Sequence, residues 1–159
     1  NLEEAKKTAE RMVDLDPDFA PAHWVLGLVH TFDGRYDAAI EELTLSVEQS
    51  GGVPSTMAAL AYAYAKSGDT IQALELLEQL KGRGELLQGG HVPALQIAYV
   101  YEGLGRTEDA LDWLDRAFEL RDPWLIHLNG FPRFESLRKE KRFQSLLRRL
   151  KLPEGTERS

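Results

Sequence analysis

The histidines at positions 23, 30, 91 and 127 are the side chains best suited to metal binding or proton transfer near neutral pH. No two of them stand at the i, i+4 spacing that puts paired ligands on one helix face. Cysteine is absent, which removes thiolate nucleophiles, thiolate metal sites and disulfides together. Asp14, Asp16 and Asp18 alternate like the start of a calcium loop. Such a loop needs Gly at its sixth position and Glu at its twelfth, and the chain has Phe19 and Val25 there. Carboxylate pairs such as Glu41/Glu42 and Asp112/Asp115 read as solvated charge on outward helix faces. The glycine-rich stretch 82–90 lacks the Gly-Lys-Ser/Thr ending of a phosphate loop, and no strand pattern precedes it. No Gly-x-Ser-x-Gly elbow frames a serine. The expectation is a protein that is not an enzyme and uses neither cofactor nor metal.

The elements behind these residues explain them better. Gly34-Arg35-Tyr36-Asp37-Ala38-Ala39-Ile40 aligns with Gly68-Asp69-Thr70-Ile71-Gln72-Ala73-Leu74 at an offset of 34 residues, and with Gly105-Arg106-Thr107-Glu108-Asp109-Ala110-Leu111 37 residues further on. One period earlier, Ala5 falls where Ala39 stands. In each unit a first helix ends at a Gly able to turn left-handed, and polar residues open a second helix. Ala39, Ala73 and Ala110 mark a close helix crossing, and Gly27, Ala61 and Ala98 recur 12 residues before them. Large residues flank the small ones at Leu26, Leu60 and Ile97, then at His30, Tyr64 and Tyr101 one turn on. Small and large positions kept in one register describe ridges seated in grooves. His30 therefore reads as a packing residue.

These residues and their spacing resemble the tetratricopeptide-repeat (TPR) family. The resemblance spans about residues 2–123 and includes the unit-ending Asp16-Pro17; Pro123 falls one position late. It implies an all-α fold, a right-handed solenoid of antiparallel helix pairs with a concave inner face, followed by C-terminal capping helices. The expected division is one domain. Residues 2–19 form the second helix of a truncated unit, 20–53 unit one, 54–90 unit two with a Gly-rich loop inserted at 82–90, and 91–123 unit three. Residues 124–152 form a cap and 153–159 a tail.

Beyond Pro123 the repeat stops, and Trp124 to Gly130 reads as one short apolar helix. Phe134, Leu137, Phe143, Leu146, Leu147 and Leu150 then recur at helical spacings, as an amphipathic cover for the open end of a stack would. Charge divides at the same place. Residues 1–130 carry ten Lys/Arg against 22 Asp/Glu, and residues 131–159 carry nine against four, within a total of −7. A basic end beside an acidic body suggests docking of one on the other. Binding of a polyanion by Arg133, Arg138, Lys139, Lys141, Arg142, Arg148, Arg149 and Lys151 is an alternative, but the apolar residues between them fit a cap and argue against nucleic acid. The stretches 131–138 and 142–150 are similar to the closing segment of TPR regions at the C-terminal ends of bacterial signalling proteins. That likeness, and a chain that opens without Met and already in helical pattern, lead us to expect the partner-docking end of a larger cytoplasmic regulator. The apolar runs are far shorter than the roughly 20 residues of a membrane span.

The TPR resemblance places a partner against the first helix of each unit: Trp24, Leu28, Thr31 and Phe32; Ala58, Ala59, Tyr62 and Lys66; Leu95, Gln96, Tyr99 and Glu102. It implies a protein or peptide held by apolar and aromatic anchors in a concave groove. The subclass that grips a C-terminal carboxylate is not matched, since Trp24 and Leu28 stand where its grip would begin. Trp24 and Tyr62 are the expected main contacts, removable without loss of stability. Leu2, Ala5, Ala9 and Met12 form an unpaired apolar face, which leaves homo-oligomerisation as a second reading.

Overall fold

A computed structural model describes residues 2–86, 92–128 and 134–152. Among them are eight α-helices and two short 3-10 turns, with no strand. The helices are α1 (Leu2–Leu15), α2 (Ala20–Phe32), α3 (Tyr36–Ser50), α4 (Pro54–Ser67), α5 (Thr70–Leu86), α6 (Ala94–Gly103), α7 (Thr107–Glu119) and α8 (Lys141–Arg149). The 3-10 turns, Pro123–His127 and Glu135–Leu137, lie between α7 and α8. Consecutive helices pair (α2 with α3, α4 with α5, α6 with α7), and α4 also packs on α3, α2 and α6.

The turn within each pair follows from its glycine. Gly34, Gly68 and Gly105 have φ of 73°, 93° and 71°, a region that costs a residue with a Cβ about 1–2 kcal/mol. The reversal lets the amides of Arg35, Asp69 and Arg106 donate to the carbonyls of His30, Tyr64 and Tyr101, which α2, α4 and α6 would otherwise leave open. The side chain of Asp69 then accepts the amide of Gln72 and opens α5.

The recurring small residues sit at the crossings. Ala39, Ala61, Ala73, Ala98 and Ala110 are completely buried. A Cβ on Gly27 would fall 2.3 Å from the Cγ of Leu43, which shows how near α2 and α3 approach. The largest apolar cluster joins α4 through α8, a second joins α2, α3 and α4, and a third, built on Ala9, Ala22 and Leu26, joins α1 to α2.

Two expectations about local structure are corrected. The stretch from Gly82 does not open a loop, because α5 runs on to Leu86. Leu80 is fully buried, and Lys81 donates to Glu78 and lies 5.3 Å from the centroid of the Tyr101 ring. Those contacts outweigh the ~1 kcal/mol that each helical glycine costs relative to Ala. The rest of the expected insertion, with His91, lies outside the described residues, as do 129–133, including Arg133, and the tail 153–159. The segment after Pro123 is a 3-10 turn rather than an apolar α-helix. Leu125 and Leu128 are buried, whereas Trp124 and Ile126 are 56% and 67% exposed. Asp122 caps the turn by accepting the amide of Trp124, and its other oxygen reaches the amide of Leu95 at the start of α6.

Candidate interaction surface

The side chains expected to line the groove separate into two sets. Leu28, Thr31, Ala58, Ala59, Leu95, Tyr62 and Tyr99 are buried by the chain itself. Thr31 turns its hydroxyl back to the carbonyl of Gly27, at 2.7 Å. Trp24, Phe32, Gln96 and Glu102 are half-buried, and Lys66 is exposed. The reason is that α4 lies directly against both α2 and α6, so a side chain facing inward from one first helix also meets the next.

Tyr62 shows this most clearly. Its ring lies 4.1 Å from that of Tyr99 at an interplanar angle of 4°. Phe134 then meets Tyr99 edge-on at 5.9 Å, and Phe143 stands 6.2 Å beyond Phe134. The stack is admitted by Gly103, where a Cβ would come within 2.6 Å of the Tyr62 ring. Burial, then the neighbouring Tyr99 and Glu102, push the Tyr62 hydroxyl far above its ordinary range. Tyr62 is therefore packed in the core, and its truncation is expected to cost stability, where the sequence led us to expect none.

The C-terminal segment completes the same surface. Ser136 donates to Glu102 at 2.6 Å, so a carboxylate of α6 holds the turn before α8. The charge asymmetry resolves here. Arg142 reaches Glu108, Asp112 and Asp115, one side of α7 at helical spacing, at 3.0, 2.7 and 2.8 Å. The guanidinium of Arg149 lies 4.0 Å from the centroid of the Phe118 ring. The hydrogen bonds that Arg142 donates to Asp112 and Asp115 raise its pKa further. Asp112 and Asp115 keep the exposed position expected of them, and in addition both accept hydrogen bonds from Arg142 of α8. Glu42 is also engaged, by a histidine.

That histidine, His23, had no role in the sequence reading. Its Nδ1 lies 2.6 Å from the Glu42 carboxylate and its Nε2 lies 2.8 Å from the carbonyl of Pro17. Both partners accept, so only the imidazolium satisfies both. Burial pushes its pKa down, but the bonds to Glu42 and Pro17 and the nearby charges of Glu42 and Asp18 together raise it above 6.5. The stabilisation is complete below the unfolded value near 6.5 and is lost as pH rises through the raised folded value. His23→Gln is expected to cost about 1–3 kcal/mol at pH 6 and less at pH 8, read from urea unfolding at the two pH values. An equal loss at both would show that the charge is irrelevant. His30 behaves oppositely: burial and then Arg35 lower its pKa, and its Nδ1 makes no hydrogen bond.

Residues 54–79 match a family model described as tetratricopeptide repeat, and residues 94–122 match a second model of the same description. These segments are tetratricopeptide repeats. The all-helical architecture is that of a TPR helical solenoid, and α2–α3 forms a pair of the same kind ahead of the two matched ones. TPR repeats generally mediate protein–protein interaction. No curated protein matches the chain. Among the described residues no helix is long and apolar enough to cross a membrane, and no three His, Asp or Glu side chains converge as metal ligands would.

Proposed function

We propose that the chain is a protein-interaction scaffold whose inner face holds a peptide or protein segment along α2, α4 and α6. The observation that carries this is the division described above. Trp24, Phe32, Lys66 and Gln96 keep open surface while their neighbours on the same helices are sealed in the core. The occupant best suited to these residues is an extended or helical segment with an apolar anchor for Trp24 and Phe32 and an acidic group for Lys66. The likeness of the closing segment to the ends of TPR regions in bacterial signalling proteins supports a place in a larger cytoplasmic regulator.

Peptides selected from a displayed random library on the folded chain provide the test. Lys66→Glu is expected to weaken the selected peptides roughly tenfold, about 1.4 kcal/mol, without moving the unfolding midpoint, since Lys66 is exposed. Trp24→Ala is expected to weaken binding too, together with some stability, because Trp24 packs against the α2–α3–α4 cluster. Selected peptides that ignore Lys66→Glu would remove the inner face from consideration.

A further inference from the structure

The first helix pair carries ionisable residues where the later pairs pack apolar ones. Offsets of 34 and then 37 residues take His23 to Met57 and Ala94, and Glu42 to Leu76 and Trp113. Met57 and Ala94 belong to the largest apolar cluster, and Leu76 and Trp113 pack against it. His30 takes the place of Tyr64 and Tyr101. A contact between helices that is apolar in two pairs is thus an ion pair of His23 and Glu42 in the first, 2.6 Å long. Exchanging apolar packing for a half-buried ion pair gains little stability in itself. What it adds is a dependence on protons.

His23 and His30 stand seven residues apart, two turns along one face of α2, in opposite surroundings. The groups that face His23 accept hydrogen bonds or are negative: Glu42 of α3, and the Pro17 carbonyl and Asp18 in the turn between α1 and α2. Gln49 of α3 reaches the same carbonyl at 3.3 Å and Asp18 at 3.5 Å, so His23 and Gln49 together tie that turn to α3. A neutral ring keeps one proton, and its bare nitrogen then confronts a carboxylate or a carbonyl oxygen. His30 has the reverse preference. Its Nδ1 is buried and bonds nothing, so the N–H that protonation places there would find no acceptor. Burial acts first against a charged His30, with Arg35 and Lys6 beside it, while Glu42 and Asp33 act in its favour; the net effect is a lowered pKa. Lys6 belongs to α1, so a charged His30 repels that helix directly.

We infer that His23 and His30 form a pH-operated joint: α1 and its turn are held on the α2–α3 pair while His23 is charged and His30 neutral, and are loosened when either condition is broken. The contribution of His23 is whole below 6.5 and is lost as pH rises through its raised value. That of His30 is whole above 6.5 and is lost as pH falls through its lowered value. The joint is tightest between the two.

Ring-proton NMR and amide hydrogen exchange on the whole chain, between pH 5 and pH 8.5, provide the test. The two ring midpoints are expected on opposite sides of 6.5. Glu42→Gln should move both to lower pH, because the Glu42 carboxylate raises both. The amides of Asp16, Phe19 and Ala22, bonded to the carbonyls of Met12, Asp16 and Phe19, report on the turn. Their protection in the unaltered chain, divided by that in His23→Gln, is expected to fall roughly threefold or more from pH 6.5 to pH 8.5. Their protection in His30→Tyr, which installs the residue of the later pairs, divided by that in the unaltered chain, is expected to rise roughly threefold or more from pH 7 to pH 5. Low urea should hardly speed their exchange, since releasing one helix exposes little surface. Flat ratios, or ring midpoints on the same side of 6.5, would overturn the inference. So would a urea dependence as steep as at the amides of Ala73 and Ala110, because α1 would then leave only with the whole fold. The ring midpoints are read on the unaltered chain and decide the matter even where a variant fails to fold.

Discussion

Phe134→Ala is expected to lower the unfolding free energy by about 3–5 kcal/mol, read from urea denaturation at constant pH. Phe134 is 2% exposed and joins the Tyr62–Tyr99 stack to Phe143, so truncation opens a void at the junction of α6 and α8. The backbone there is strained, with φ of 61°, a conformation that costs a bulky residue on the order of 1–3 kcal/mol and persists only because burial holds it. Ala keeps most of that strain and none of the ring. The ion pairs of Arg142 cannot retain α8 by themselves, because Arg142 is 42% exposed in its side chain and pairs so open contribute about 0–1 kcal/mol. A loss under ~1 kcal/mol would mean that the cap is not part of the folded core.

The second large effect lies at the α2–α3 crossing. Leu43→Ala is expected to cost about 2–5 kcal/mol, since Leu43 is fully buried. Gly27→Ala should cost about 1–3 kcal/mol, although Ala is the better helix former by about 1 kcal/mol, because its Cβ would collide with the Leu43 side chain. Combining the two should lose less than the sum, by a coupling of roughly 0.5–3 kcal/mol, since the smaller partner makes room for the added methyl group. Strict additivity in a denaturant cycle would show that the two residues do not share a contact.

Which parts of this were legible in advance depends on the range over which the physics acts. Gly34, Gly68 and Gly105 announce their turns because a left-handed residue after a helix is a local requirement. Ala39, Ala61, Ala73, Ala98 and Ala110 announce crossings because a repeated architecture repeats its steric limits. The basic end and acidic body announced their contact, but not that Arg142 would choose Asp112 and Asp115. His23 left no trace in the pattern, since its partners lie 19 residues ahead and six behind. Asp122 was more accessible, because Asp followed by Pro at the first position of a turn is a cap signature.

The candidate surface was the least legible part. Carrying inner-face positions onto Tyr62 and Tyr99 treats each first helix as if only solvent or a partner faced it. In the folded chain α4 touches α2 and α6, and Phe134 arrives from more than 30 residues away to close the stack. By itself, the sequence determined the helices, their turns and the 34-residue register, because these rest on contacts within a turn or between neighbouring helices. The tertiary structure decided which faces stay open. Exposure is what remains after every distant segment has found its place, and no local spacing contains that information.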